Sequence, residues 1–160
     1  MQGFPLKLGI QIDRKFARHL RKEWLQQVVE QSLNAQGINS EVELGLLITD
    51  DETVRKLNQE YRGVDETTDV LSFALTERGP GDDSPPFVTP PDGILRLGEV
   101  IISYPQTVRQ AEENQQKVGK ELALLIIHGV LHLLGYEHDE PVREKEMREL
   151  EGRILSEVEE

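Results

Sequence analysis

Cysteine is absent from this chain of 160 residues, and its absence excludes both disulfide bonds and thiolate ligands for a metal. Histidine, aspartate and glutamate are then the side chains left to hold a metal ion. The sequence also lacks an apolar run of about 18 residues, the length that a helix needs to cross a bilayer. Its first residues show no basic segment followed by an apolar block, the pattern of a secretory signal. These absences predict a cytoplasmic protein with no membrane-spanning segment.

Positive charge is scarce overall but locally concentrated. The formal net charge is −12, which argues against broad, sequence-independent adhesion to nucleic acid, because such adhesion needs several cations to displace counterions from phosphates. Five cations nevertheless lie close together near the start of the chain: Arg14, Lys15, Arg18, Arg21 and Lys22. Two interpretations stay open, a solvated helix face and a local cationic surface for an anionic partner.

The spacing of apolar residues predicts nine elements in the order β-α-β-α-β-β-α-α-α. Alternation of apolar and polar residues indicates half-buried strands, and a recurrence at three to five residues indicates amphipathic helices. The predicted strands are 6–12, 42–49, 68–75 and 94–102, and the predicted helices are 14–35, 49–62, 103–117, 122–134 and one that begins at Pro141. The second helix is predicted to start in a capping box, Thr49 to Glu52, and to turn Val54, Leu57 and Tyr61 inward.

This order predicts a single α+β domain over residues 1–160, with about four strands in one mixed sheet packed by helices. Residues 76–93 contain five prolines and three glycines and are predicted to form a surface loop or a disordered insertion. Residues 122–134 are almost entirely apolar, so this helix is expected to lie in the core.

Three of the four histidines fall within eleven positions, at His128, His132 and His138. On a helix, residues four apart lie one above the other, so His128 and His132 present their rings from one face. Gly135 is typical of a helix end, where the chain turns sharply, and this turn allows His138 to fold back. Three imidazoles suit Zn²⁺ and leave a fourth position open for water, the arrangement of a catalytic site. The sequence predicts one zinc ion per chain.

The spacing H-x-x-x-H-x-x-G-x-x-H is also that of the long zinc-protease signature. Gly129, however, stands where a protease keeps its glutamate base. A site of three neutral imidazoles keeps the full double charge of the ion, which favours an anionic substrate such as a phosphodiester.

Three stretches carry a resemblance to a known family. HGVLHLLGYEH at 128–138, LNQEYRGVDETTDVLSF at 57–73 and LGEVIIS at 97–103 resemble the signature blocks of the YbeY-type endoribonucleases. Glu137 and Glu99 stand where that family usually has aspartate. The resemblance implies a zincin-like metal helix and a zinc-dependent hydrolase that cleaves single-stranded RNA. It further implies a role in ribosomal RNA maturation at the 3′ end of the small-subunit RNA and in ribosome quality control, with ribosomal RNA, a ribosomal subunit or ribosomal proteins as partners.

The resemblance also favours one of two interpretations of Arg62. A cation at a helix end is favourable to the helix dipole, by about 0.3–1 kcal/mol, whereas a guanidinium can grip a phosphate with two parallel hydrogen bonds. The resemblance favours the interpretation that Arg62 binds a phosphate. Asp69 and Glu99 are candidates for the general base, or for carboxylates that orient the imidazoles. The alternative functions are a metalloprotease-like hydrolase and a non-catalytic ribosome assembly factor in which zinc only staples two helices.

Overall fold

The computed structural model describes residues 6–35, 41–74, 94–134 and 141–156. Within these ranges the order of strands and α-helices agrees with the predicted order, with one short 3₁₀ turn, Ala17–His19, added before the first helix. The strands are β1 (Leu6–Ile12), β2 (Glu41–Thr49), β3 (Val70–Ala74) and β4 (Ile94–Ser103). The helices are α1 (Lys22–Asn34), α2 (Asp51–Arg62), α3 (Tyr104–Glu113), α4 (Val118–Leu133) and α5 (Pro141–Ser156).

The four strands form one mixed sheet in the order β1-β2-β4-β3. β1 is parallel to β2 and β2 is parallel to β4, while β3 is antiparallel to β4. The two parallel pairs need crossover connections, which α1 and α2 help to supply. The prediction of an α+β fold around a four-stranded mixed sheet is confirmed.

The larger hydrophobic core lies on one face of the sheet, where α1 and α4 pack. β2 alternates buried and half-buried residues, and its residues Val42, Leu44, Leu46 and Ile48 join this core. α4 contacts α1, α3, α5, β3 and β4, which confirms the prediction that it is the core helix. A smaller core of Val54, Leu71 and Ile101 lies between α2 and the opposite face of the sheet.

The first helix is shorter than predicted. It begins at Lys22 rather than near position 14, because a 3₁₀ turn and the extended residue Arg21 interrupt the pattern before it. Four of the five clustered cations therefore lie before α1 and only Lys22 lies within it. β3 begins at Val70 rather than at 68, and α3 ends at Glu113 rather than near 117. α4 begins earlier than predicted, at Val118 rather than 122, with Lys117 at its N-cap position.

The start of α2 also differs from the predicted capping box. Thr49 is the buried last residue of β2, and the N-cap is Asp50, whose Oδ1 accepts a hydrogen bond of 2.8 Å from the Thr53 backbone N–H. The hydrogen bond from the Lys15 amine, followed by that from Thr53, lowers the pKa of Asp50 to about 2. Tyr61 was predicted to point inward, but it is 67% exposed and its ring packs against Phe73 instead.

The predicted loop at 76–93 lies outside the described residues. None of the helices within the described ranges is both long and apolar enough to cross a membrane.

Candidate active site

The first and second predicted metal ligands, His128 and His132, lie one turn apart on α4. Their Nε2 atoms are 3.0 Å apart, and their rings meet edge to face with centroids separated by 4.5 Å. Two zinc–nitrogen bonds of about 2.0–2.1 Å at a tetrahedral angle place the two nitrogens about 3.3 Å apart. The two rings therefore already converge on one point at nearly the spacing that a shared ion requires.

A carboxylate from α5 fixes the orientation of the first ring. Glu151 Oε2 lies 2.9 Å from His128 Nδ1, and the two side chains are only 15% and 29% exposed. In the tautomer that this contact favours, Nδ1 carries the proton and donates a hydrogen bond to the carboxylate, so Nε2 keeps its lone pair. That lone pair faces the point shared with His132. In zinc sites, a histidine that binds the ion with one ring nitrogen commonly donates a hydrogen bond from the other nitrogen to a carboxylate.

Glu151 is a site residue that the sequence analysis missed. It is 23 positions from His128, and only the packing of α5 on α4 brings the two together. One signal was present in the sequence. Glu151 follows the buried Leu150 and precedes the buried Ile154 by three residues, so a carboxylate stands at the border of an otherwise apolar helix stripe.

The full metal site cannot be traced within the described ranges, which contain no group of three metal-binding side chains. Gly135 and His138, on which the predicted turn and the third ligand depend, lie outside the described residues. The set His128, His132 and His138 therefore stays a prediction, of which two members converge.

Gly129 has a packing role. A Cβ placed there would lie 2.6 Å from Val100 Cγ1 and 3.3 Å from Ser72 Oγ. α4 thus approaches the sheet so closely at this residue that a larger side chain would force Val100 to shift. The position after His128 faces the sheet, so a glutamate base could not occupy it without displacing the Val100 side chain.

Arg62 ends α2, and Gly63 follows it in the left-handed conformation at φ 70°, which favours glycine. Arg62 Nη2 donates a hydrogen bond of 2.9 Å to the Ser72 carbonyl, and its guanidinium lies 5.6 Å from the centroid of the Phe73 ring. Ser72 Oγ in turn donates to the Gly129 carbonyl. The exposed Arg62 is therefore linked through β3 to the residue that follows His128.

The two carboxylates predicted as general-base candidates have different surroundings. Asp69 lies just before β3, where its Oδ1 accepts hydrogen bonds from the Val70 backbone N–H at 2.8 Å and from Thr68 Oγ1 at 3.2 Å. The exposed Glu99 packs over Gly45. Because Val100 contacts α4 and side chains alternate along a strand, Glu99 lies on the face of the sheet opposite α4. The structure gives Asp69 a local structural contact and places Glu99 away from the histidine pair.

Comparison with known proteins shows which family this chain resembles in sequence. The profile of the family described as Endoribonuclease YbeY matches residues 10–159. An endoribonuclease YbeY from Dehalococcoides mccartyi is 43% identical over 148 residues, covering 89% of this chain and 84% of the relative. One from a Roseiflexus species is 44% identical over 149 residues, covering 92% and 90%.

A solved structure is also similar. The solution structure of TM1509 from Thermotoga maritima superimposes with a TM-score of 0.64 at 28% sequence identity, covering 94% of this chain and 88% of that one. The match over nearly the whole chain confirms both the resemblance predicted from the sequence and the class of enzyme, a hydrolase that cleaves RNA phosphodiester bonds. The chain belongs to the endoribonuclease YbeY family.

Proposed function

We propose that this chain is a zinc-dependent endoribonuclease that cleaves single-stranded RNA during ribosomal RNA maturation, at the 3′ end of the small-subunit RNA, and in ribosome quality control. The observation that carries the zinc dependence is the convergence of the His128 and His132 Nε2 atoms, 3.0 Å apart, with Glu151 holding the far side of the first ring. A histidine pair in a largely apolar helix is costly to desolvate unless something binds it.

The proposed ligands are His128, His132 and His138, with one zinc ion per chain. Their donor chemistry fits the ion, because neutral imidazole is a preferred zinc ligand and three such ligands leave one position open. When bound there, zinc would polarise a phosphate oxygen or lower the pKa of a water molecule to about 7.

The proposed contribution of Arg62 is electrostatic. Only one of its guanidinium nitrogens, Nη2, donates to another described residue. The remaining N–H groups of this exposed side chain are available to bind a scissile phosphate and stabilise the charge that develops on it. For the general base, Asp69 and Glu99 stay predictions, and the contacts of Asp69 at the start of β3 favour a structural role for that residue.

Two alternative functions compete with this proposal. The metalloprotease needs a glutamate base next to the first histidine, and the close packing of Gly129 on Val100 leaves no room for one. The non-catalytic assembly factor would use zinc only to staple α4 to the chain that follows. The exposed guanidinium of Arg62, linked through Ser72 to α4, favours the enzyme over an assembly factor in which zinc has only a structural role.

The wider assignment is also proposed. Residues 1–160 would form one YbeY-like domain, with 76–93 as a surface loop or insertion, in the cytoplasm. Its partners would be ribosomal RNA and a ribosomal subunit or ribosomal proteins.

The test compares zinc-loaded and chelated protein on labelled ribosomal RNA, with casein as a second substrate. We expect about one zinc per chain and metal-dependent RNA cleavage that survives repurification. His132→Ala should lose zinc, because two nitrogens hold the ion less tightly than three. His19→Ala, which removes the one histidine outside the cluster, is the control for metal content. Cleavage of casein but not RNA, or undiminished zinc in His132→Ala, would overturn the proposal.

A further inference from the structure

A cleft of about 680 Å³ lies on the α1 and α4 side of the protein, apart from the converging histidines. Its described lining comes from the segment before α1 and the first turns of that helix, from Tyr104 at the start of α3, and from the first turns of α4. The residues are His19, Leu20, Arg21, Glu23, Trp24, Gln27, Tyr104, Val118, Gly119 and Leu122. The lining thus combines aromatic rings with polar and charged side chains.

Two of the rings form a parallel pair. The His19 and Tyr104 planes differ by only 9°, with centroids 6.2 Å apart, and Phe16 packs on Tyr104 at 5.0 Å. Desolvation raises the pKa of Tyr104, so its hydroxyl stays a neutral hydrogen-bond donor. His19 is exposed and Tyr104 is half-buried. Aromatic rings at a protein surface are the groups on which unpaired bases stack in single-strand RNA-binding proteins.

Trp24 adds a hydrogen-bond donor at the same place. Its indole Nε1 is buried, and within the described part of the chain it has no hydrogen-bond partner. Buried indole N–H groups usually have one. Trp24 lines the cleft, so a nucleobase that enters and reorients the indole would supply a carbonyl or ring-nitrogen acceptor.

The proposed catalytic function leaves unused a group of cations in and next to the segment that lines this cleft. Arg21 lines it, and Arg14, Arg18 and Lys22 are exposed nearby in the chain. None of these four makes an ion pair with another residue in the described ranges, whereas Lys15 is paired with Asp13 and Asp50. Glu23 is the one carboxylate among the described lining residues. In a chain of net charge −12, unpaired cations beside stacked rings match a ligand that is both aromatic and anionic.

We propose that this cleft is a second RNA-contact site, in which an unpaired base of the substrate strand stacks on the His19 and Tyr104 rings while Arg21 and its neighbouring cations hold the flanking phosphates. The inference rests on the proposed function, since it assumes a single-stranded RNA substrate. Leu122 precedes His128 by six residues on α4, which is about 9 Å along the helix axis. The cleft and the histidine pair are therefore separated by a distance along α4 that a few nucleotides can span.

The chain contains a built-in reporter for this site, because Trp24 is its only tryptophan. The experiment titrates the zinc-loaded full-length protein with a short single-stranded RNA oligomer and follows Trp24 fluorescence together with the anisotropy of a label on the RNA. The same RNA as a duplex and inorganic polyphosphate are the comparison ligands. The RNA is recovered on a gel afterwards, so that binding and cleavage are scored separately.

Single-stranded RNA should quench Trp24, and polyphosphate and the duplex should not, because only the first offers an unpaired base. His19→Ala combined with Arg21→Gln should weaken RNA binding roughly tenfold, the loss that corresponds to one stacked base. Lys56→Gln removes the same charge from an exposed site on α2 (71% exposed) and should change binding less than about twofold.

Three results would overturn the inference: RNA binding without a change in Trp24 fluorescence, equal quenching by polyphosphate or the duplex, and equal affinity of the double variant and the Lys56→Gln control. If RNA is cleaved while one of these holds, the second site is wrong and the proposed function stands. Quenching by single-stranded RNA that is never cleaved would support the site and contradict the catalytic function.

Discussion

Removing the Glu151 carboxylate tests how the proposed metal site is held together. In Glu151→Ala, His128 loses the contact that directs its Nε2 towards His132, so zinc affinity should fall by about 10- to 100-fold, the usual cost of losing such a partner. Because both side chains of the pair are largely buried, solvent screens their interaction little. Glu151→Gln keeps an oxygen that can accept from Nδ1 and should lose less.

The loss also has a thermal signature. At a free zinc concentration 100 times the dissociation constant, binding stabilises the fold by about 2.7 kcal/mol. After a 10- to 100-fold loss of affinity, about 1.4 to 0.4 kcal/mol of this remains at the same zinc concentration. The difference of about 1.3–2.3 kcal/mol corresponds to roughly 3–9 °C in Tm for a chain of this size. Without zinc, the variant and the parent should melt much closer together.

The assay combines chelator competition, which gives the zinc dissociation constant, with melting curves in the presence and absence of zinc. Glu149→Gln is the matched control, because Glu149 is an exposed carboxylate on the same helix. Wild-type zinc affinity in Glu151→Ala would refute the reasoning. A drop in Tm that is the same with and without zinc would show that Glu151 supports the fold rather than the metal.

Three further predictions concern other residues. Arg62→Ala should leave zinc content unchanged and stability within about 1 kcal/mol, while RNA cleavage falls by about two to three orders of magnitude; near wild-type cleavage in a folded, zinc-replete variant contradicts the catalytic role. Gly129→Ala forces a methyl against Val100 at 2.6 Å and should lower the unfolding free energy, measured by denaturant titration, by about 1–3 kcal/mol. Gly152→Ala is the control, because a methyl there meets open space, and it should be neutral or stabilising. Asp50 has a pKa of about 2, below its ordinary 3.8, so its stabilising contribution is complete above about pH 4 and is lost as the pH falls towards 2. Asp50→Ala should lower the unfolding free energy by about 1 kcal/mol at neutral pH. It should also weaken the dependence of the unfolding free energy on pH between about 4 and 2.

The parts of the structure that follow from local patterning could be predicted from the sequence. Alternation in β1 and β2 and the apolar run in α4 depend on near neighbours in the chain, and the predicted element order agrees with the observed one. The pairing of His128 with His132 is equally local, because helix geometry alone brings residues four apart together.

The rest depends on contacts between elements, which spacing does not encode. Thr49 and Asp50 are both good N-cap residues. Asp50 is the N-cap of α2 because β2 extends through Thr49. Tyr61 fits the inward stripe of α2, yet its ring lies on Phe73 at the surface. Glu151 reaches His128 only because α5 packs against α4.

The hydrogen bond from Arg62 to Ser72 also bears on the edge of the sheet. Among the described strands, β3 lies at one edge of the sheet. The open carbonyl and amide groups of an edge strand are a template for pairing with a strand of another molecule. β3 is only five residues long, and Arg62 occupies the Ser72 carbonyl with a charged side chain. The guanidinium that we propose as a phosphate ligand therefore also blocks one hydrogen-bond acceptor on the edge strand. Because Nη2 alone bonds this carbonyl and the other N–H groups stay available, one arginine can bind a phosphate and keep this position of the edge strand occupied at the same time.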